Sequence, residues 1–258
     1  MLQYKRVLFK KTTNNQLILG RQAVLEAIES GISIERVFIK KKIEEGFSKQ
    51  IKTICKEMGV PYQVVPVEKL NRMTKKNHQG VILQAAEITY YTVEDILSNV
   101  YDKGEIPLFL VLDGVTDIHN FGAIARTAWG CGVHAIIIPT KGNAMINEAA
   151  IKKSAGALLH LPICRTFNLK SSLNFLKENG LKIVSSALNN TSKFVFNLDA
   201  KQPLAIIMGS EGEGVSNEVL AFSDITIKIP MANDFDSFNV SVASGMILYE
   251  LLKQRRFN

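Results

Sequence analysis

The amino-acid sequence predicts an α/β protein in two parts, a small amino-terminal α/β unit followed by a larger, mostly parallel α/β sheet. Three observations predict it. From Pro107 onward, short apolar runs alternate with segments of helical apolar spacing, as in a parallel sheet covered on both faces. The charge is divided along the chain: residues 1–86 hold 16 Lys and Arg against 7 Asp and Glu, residues 87–106 hold one Lys and five acids, and the remainder is nearly balanced. A chain of 258 residues, 47% hydrophobic and 21% charged, can bury a sizeable core, which excludes a disordered tail or a disulfide-built miniprotein.

Taken in order, residues 1–17 read as a loose basic arm. It lacks the continuous apolar stretch and small-residue cleavage site of a secretory signal, so a cytoplasmic protein is expected. Residues 18–86 form the first compact unit, with helices predicted over 20–30 and 48–58 and strands over 37–39 and 81–85. Residues 87–106, rich in acids and closed by Pro107, read as a linker with one short helical turn. In 107–258 the strands LFLVLDG, AIIIP, LPICR, LKIVSSA, LAIIMG and ITIKIP are predicted. Between and after them helices are predicted over 122–131, near 147–154, over 169–178, after Val215, and finally over 240–253. No apolar run is long enough to cross a bilayer. The formal charge of +7, concentrated in the first 86 residues, favours a polyanionic partner. Cys55, Cys131 and Cys164 are far apart with no C-x-x-C, so core thiols are expected rather than a disulfide framework or a metal site.

Three strands of the second part end in polar, glycine-containing loops, and ligands in such folds sit at the carboxyl ends of strands. The first, LDGVTDIHNFGAIARTA (112–128), gathers Asp113, Asp117, His119, Asn120 and Arg126. A helix starting around Asn120, with that side chain accepting from the orphan amides, puts Asn120 and Arg126 within two turns. A capping asparagine followed by a surface arginine would look the same. The second, IIMGSEGEGVS (206–216), is neither a G-x-G-x-x-G fingerprint nor a P-loop, and Glu211 and Glu213 would repel a pyrophosphate. Its glycines suit close approach to a cationic or neutral ligand, or simply a tight turn. The third, IKIPMANDFDSFNVSVASGMILYE (227–250), puts Ser237, Asn239 and Ser241 at the start of an apolar helix. Each loop alone has a plain structural reading; the three together, in this order, are specific.

LDGVTDIHNFGAIARTA, MGSEGEGVS and IPM followed by SFNVSVA resemble the three signature motifs of the SpoU (TrmH-like) branch of the knotted SPOUT methyltransferases, over the whole of 107–258. GRQAVLEAI and NHQGVIL make residues 18–86 similar to the ribosomal-protein-like RNA-binding domain of the 23S rRNA guanosine-2′-O-methyltransferases of that family. The resemblance implies a deep carboxy-terminal trefoil knot and transfer of a methyl from S-adenosylmethionine to an RNA ribose 2′-hydroxyl. The substrate it implies is a guanosine of 23S rRNA, with tRNA, or a non-catalytic RNA-binding role in ribosome assembly, as alternatives. It places Gly209, Glu211, Gly212, Ile229, Met231, Phe238 and Asn239 around the cofactor, and Asn120, Arg126, Glu211, Ser237 and Asn239 in the catalytic set. Phe238, where the family usually has Leu, and Asn233, where it commonly has Gly, are departures. No metal is implied, and a homodimer shaping each site from both subunits is. A guanidinium is hard to deprotonate, so Arg126 is expected to stabilise the forming alkoxide while Asn120 orients it. His119 is a conceivable base, or a helix-start residue. The basic first unit is expected to dock RNA through Lys40–Lys42, Arg72, Lys75, Lys76 and Asn77, by shape rather than base stacking, because its aromatics are few.

Overall fold

The structure, a computed structural model, describes residues 17–233 and 237–257. The expected basic arm lies, apart from Leu17, outside them. The chain forms two compact units that meet at Thr89 and Tyr90.

In the first unit β1 (Leu17–Leu19), α1 (Arg21–Glu29), β2 (Ile34–Lys40), α2 (Glu45–Glu57), β3 (Tyr62–Val65), α3 (Val67–Met73) and β4 (Val81–Ala85) follow one another. The sheet order is β1-β4-β2-β3, with β2 and β3 parallel and the other pairs antiparallel. Strand side chains alternate between faces, and here both faces are covered. Val37 and Ile39 of β2, with Val81 and Leu83 of β4, join a core built by α1 and α2, while Phe38 and Ile82 turn to Val65 and to Leu70 of α3. This two-sided burial explains the unbroken apolar run of VIL in β4. The predicted helices and strands are present, but β1, β3 and α3 are additions; they are short, and β3 alternates too weakly to stand out.

The second unit begins earlier than expected. Residues 87–106 do not form a linker with one helical turn. Instead β5 (Tyr90–Tyr91) pairs with a later strand, and α4 (Val93–Asp102) buries Val93, Ile96, Leu97 and Val100. Those four positions have the spacing of one helix face, and the five acids masked it. Thr92 caps α4, its side chain accepting from the Asp95 amide at 3.1 Å.

The remaining elements are β6 (Leu108–Asp113), α5 (Ile118–Gly130), β7 (Ala135–Pro139), α6 (Glu148–Lys153), β8 (Ile163–Thr166), α7 (Leu169–Glu178), β9 (Lys182–Ser186), β10 (Lys193–Phe194), β11 (Leu204–Gly209), α8 (Asn217–Leu220), β12 (Ile225–Lys228) and α9 (Val240–Arg256). They build an eight-stranded sheet in the order β10-β12-β9-β11-β6-β7-β8-β5, every pair parallel. The chain steps outward from β6 through β7 to β8, crosses back to β9, and inserts β11 between β9 and β6. The strand order therefore reverses between β6 and β11, the place where α/β sheets open a crevice. α5 packs against both α6 and α9, and α7 lies against β9.

Two cysteines are core thiols, Cys55 and Cys164, and Cys131 is half-buried; burial raises all three thiol pKa values, Cys55 to about 12. At the amino end of the sheet Arg255, in the last turn of α9, donates to four carbonyls: Ala200, Ile106, Pro107 and Gln202, at 2.8 to 3.0 Å. Beside it, the largely covered His134 accepts at Nδ1 from the Leu108 amide at 3.0 Å, while its Nε2 lies 2.9 Å from Glu105. Among the described residues no helix is long and apolar enough to cross a membrane.

Candidate active site

β6 and β11 run in register to their ends, Gly209 opposite Asp113, so the loops leaving them start level. Asp113 then ties the two together, its carboxylate accepting from the Ser216 amide at 2.9 Å. The loop after β11 folds on itself: Ser210 and Gly214 exchange two backbone hydrogen bonds of 3.0 Å, with Gly212 at φ 95° in the turn. A Cβ on Gly209 would overlap the backbone of Gly214 and Val215. Gly209 is thus required by the close return of its own loop, and this compact turn carries Glu211 at its tip.

The loop after β6 enters α5 one residue set earlier than predicted. Asp117, not Asn120, is the cap, accepting from the Asn120 amide at 2.7 Å. The Asn120 side chain is left free of capping and turns to the site. On the third loop Asn239 does cap its helix, its Oδ1 accepting from the Ser241 amide at 2.9 Å and the Ser241 hydroxyl at 2.6 Å. That leaves the Asn239 amide group to donate to Glu211 Oε1 at 2.8 Å and to Asn120 Oδ1 at 3.1 Å. Asn120 Nδ2 closes the ring by donating to Glu211 Oε2 at 3.2 Å. Three side chains separated by up to 119 residues in sequence, one from each loop, are therefore locked together with the carboxylate fully engaged. Each carboxylate oxygen accepts one amide N–H, Asn239 spends both of its own, and one Asn120 N–H is left over for a further partner.

Beside this ring opens a cleft of about 420 Å³, bounded by the ends of β9, β11 and β12 and the start of α9. Of the residues predicted around a cofactor, Gly209, Glu211, Gly212, Ile229, Met231 and Phe238 line it, together with Ser237. Asn239 belongs to the ring rather than the lining. Its remaining walls include Ser186–Leu188, after β9, and Met208, which the sequence did not single out because the β9 turn holds no glycine or charge. Asn233 is exposed and is not among the residues that line the cleft.

Arg126 is not brought to the ring. It is exposed, and it has no hydrogen bond or ion pair to the described residues. Six residues beyond Asn120 on one helix, it projects about 120° around the axis from it. His119 is likewise exposed and its side chain makes no hydrogen bond to the ring. Asp113, Asp117 and Ser241, which place the three ring residues, were not assigned these roles from sequence, although an Asp three residues before Asn120 is a cap signal. Among the described residues no group of three or more His, Cys, Asp or Glu could hold a metal ion.

In the first unit, two loops abut at one end of the sheet. The Lys40 amide donates to Gly80 at 2.8 Å, and Gly80 sits against Ile43. The loop between α3 and β4 is held by His78, whose Nδ1 accepts from the Gly80 amide at 3.0 Å and whose Nε2 lies 3.0 Å from Asn71 Oδ1. The Gln79 side chain accepts from the Arg21 amide at 3.1 Å, which joins the GRQ and NHQG segments. Lys42 and Gln79 have left-handed backbones, φ 82° and 49°, uncommon for residues with side chains. The same end displays Lys40–Lys42, Lys75 and Lys76. Phe38 and Phe47 are buried, so they offer no stacking surface.

Residues 107–249 match the SpoU rRNA Methylase family, and residues 17–91 match the RNA 2′-O ribose methyltransferase substrate-binding family. A Bacillus subtilis protein assigned to the TrmH family of tRNA/rRNA methyltransferases, YacO, is 35% identical over 92% of this chain and 95% of its own. Among solved structures, the SpoU methyltransferase AviRb from Streptomyces viridochromogenes, in complex with AdoMet, superposes with a TM-score of 0.59 over 93% of this chain and 90% of its own, at 22% identity. The TrmH/SpoU tRNA modifying enzyme of A. aeolicus is 30% identical, with a TM-score of 0.54 over 62% of this chain and 84% of its own.

Proposed function

The chain belongs to the SpoU methylase family of RNA methyltransferases, and from that premise we propose that it methylates the ribose 2′-hydroxyl of a guanosine in 23S rRNA, using S-adenosylmethionine. The observation that carries the reading is the meeting of three strand-end loops in the Asn120–Glu211–Asn239 ring beside a cleft of about 420 Å³. The cleft suits this cofactor. It is nucleoside-sized, the three glycines in its lining leave main chain open to a ligand, Ile229, Met231 and Phe238 offer apolar contact, and Glu211 and Glu213 complement a positive charge. Backbone recognition also accommodates Phe238 and Asn233 at the positions where the family usually differs.

When bound, S-adenosylmethionine supplies a methyl on a cationic sulfur. The protein's part is to align an incoming hydroxyl and to stabilise the oxygen as it gains charge. Fixing two reactants in line can contribute roughly 7 to 11 kcal/mol. Asn120 and Asn239, their orientations fixed by Glu211, hold the hydroxyl side of the site; Ser237 completes its edge. Arg126 supplies positive charge to the developing alkoxide and its neighbouring phosphate. Because Arg126 projects away from the ring of its own chain, it serves the site of a second copy. An apolar stripe of Val242, Met246 and Tyr249 on the outer side of α9, 41 to 64% exposed, is suited to such a homodimer. The trefoil knot is part of the same reading: β12 enters between β10 and β9 rather than at an edge, and the chain then returns to seat α9 on α5.

The first unit docks the RNA through the lysines at its strained loops, which a solvated face alone would not require. The A. aeolicus tRNA enzyme is matched over a share of this chain no larger than the second unit, which favours rRNA over tRNA as substrate. A cytoplasmic location follows from such a substrate. Incubation with labelled S-adenosylmethionine and separated rRNA and tRNA pools tests the proposal. Label in one alkali-resistant ribose of 23S rRNA is expected; label in tRNA alone would move the substrate, and an absence of both transfer and cofactor binding would refute the reading.

A further inference from the structure

A second cleft, of about 460 Å³, opens at the same carboxyl edge of the sheet, towards α7 and α8. Asp113 and Ser216, the pair that ties the β6 and β11 loops together, form its wall towards the methyl-donor cleft. The two cavities are thus separated by the thickness of the 214–216 segment. On its far side stand Thr140, Lys141, Phe167 and Asn168. Phe167 is 40% exposed, yet its backbone is firmly placed. Thr166 Oγ1 accepts from the Asn168 amide at 3.3 Å and pairs with Ser172 Oγ at 2.9 Å, and Asn168 caps α7. A rigid, solvent-facing ring on the rim of a nucleotide-sized cavity is a stacking platform. Lys141, exposed and without an ion-pair partner among the described residues, flanks it. Glu218, held by Lys170 at 2.9 Å, and the Thr140 hydroxyl offer groups for a base edge. None of these residues belongs to the three loops of the ring, apart from the shared wall.

We propose that this cleft receives an unpaired nucleotide of the substrate RNA next to the one that is methylated, its base stacked on Phe167 and its phosphate beside Lys141. The proposal rests on the methyltransferase reading above and adds a site that reads the target's neighbour. Single-stranded, splayed bases are what proteins recognise in RNA, and stacking on an aromatic ring holds any base while edge groups select among them.

The test uses full-length protein and the RNA found to accept the methyl. Phe167→Ala is expected to raise the RNA KM about tenfold and Lys141→Ala several-fold, with kcat and S-adenosylmethionine affinity within twofold of wild type. Phe167→Trp should restore the KM, and a photoreactive phenylalanine at 167 should crosslink within two nucleotides of the methylated ribose. An unchanged RNA KM in both alanine variants, a loss that appears in cofactor affinity instead, or a crosslink to a remote nucleotide would overturn it. Failure of the parent reading looks different: the wild type then labels no RNA, and both ideas fall together.

Discussion

Replacing Asn239 by Asp separates the two things this side chain does. An aspartate caps a helix as well as asparagine, so the bond from the Ser241 amide survives. What changes is the other end, where an N–H now 2.8 Å from Glu211 Oε1 becomes a second carboxylate oxygen. Two like charges about 3 Å apart repel by roughly 1.4 kcal/mol in bulk water and more where solvent is partly excluded, and the exposure of this pair argues for the lower end. Adding the lost donations to Glu211 and Asn120 gives a destabilisation of about 1 to 3 kcal/mol at pH 7. The sign with pH follows. The pair raises one carboxyl pKa in the folded state, so the destabilisation is complete above that raised value and disappears as pH falls below about 4, where one group is protonated in both states. Asn239→Ser keeps the cap without the new charge and should stay within about 1 kcal/mol of wild type throughout. Urea unfolding of the three proteins at pH 7 and pH 4, beside a methyl-transfer assay, reads this directly. Turnover of both variants should drop by about a hundredfold, because Glu211 and Asn120 lose their fixed orientation. If Asn239→Asp were as stable as wild type at pH 7 and equally active, the ring would have no part in holding the site.

Other outcomes follow from the same geometry. Gly209→Ala should abolish cofactor binding measured by calorimetry while the protein still folds, since the added methyl forces the Ser210–Gly214 turn open. Arg126→Ala and Asn239→Ala should each be inactive alone, and an equimolar, re-equilibrated mixture of the two, half of it heterodimer with one intact site in two, should recover about a quarter of the activity if arginine serves the opposite site; no recovery would place Arg126 with its own chain. Burial lowers the His134 pKa below the usual histidine value, outweighing the opposing pull of Glu105, which raises it. Its neutral form is therefore favoured by folding, and stability should fall as pH drops below about 6.5, by at most about 1.4 kcal/mol per pH unit. A His134→Asn variant should flatten that slope in thermal unfolding between pH 7.5 and 5.5.

Much of the second unit was legible because buried parallel strands are nearly continuous apolar runs, and β6, β7 and β11 are of this kind. The three loops were legible as chemistry because polar residues gather where strands end. Other features have no local signal. Residues 87–106 carry a helix whose four buried positions are outweighed, in composition, by five acids. Asn120 looked like a cap because asparagine often is one; only the placement of Asp117 shows that its side chain is free for the ring. The angle of about 120° between Asn120 and Arg126 follows from their six-residue spacing, but which of the two meets the other loops is set by how α5 packs, which the sequence does not display. Glycines 209, 212 and 214 were expected to admit a ligand or make a turn, and the packing of Gly209 on Gly214 shows the turn to be required. Phe167 lies between a short strand and a helix, where one aromatic carries no pattern.

The four carbonyls gathered by Arg255 come from the chain just before β6 and just before β11, 148 and 53 residues upstream of it for Pro107 and Gln202. During synthesis the central strands therefore emerge long before the side chain that staples their leading ends. A nascent polypeptide can lay out its whole sheet and still lack this final fastening until α9 has left the ribosome. Stalled or clipped chains missing the closing turn of α9 would expose a loose edge for proteases to find, a built-in check on chains that stop short of that turn.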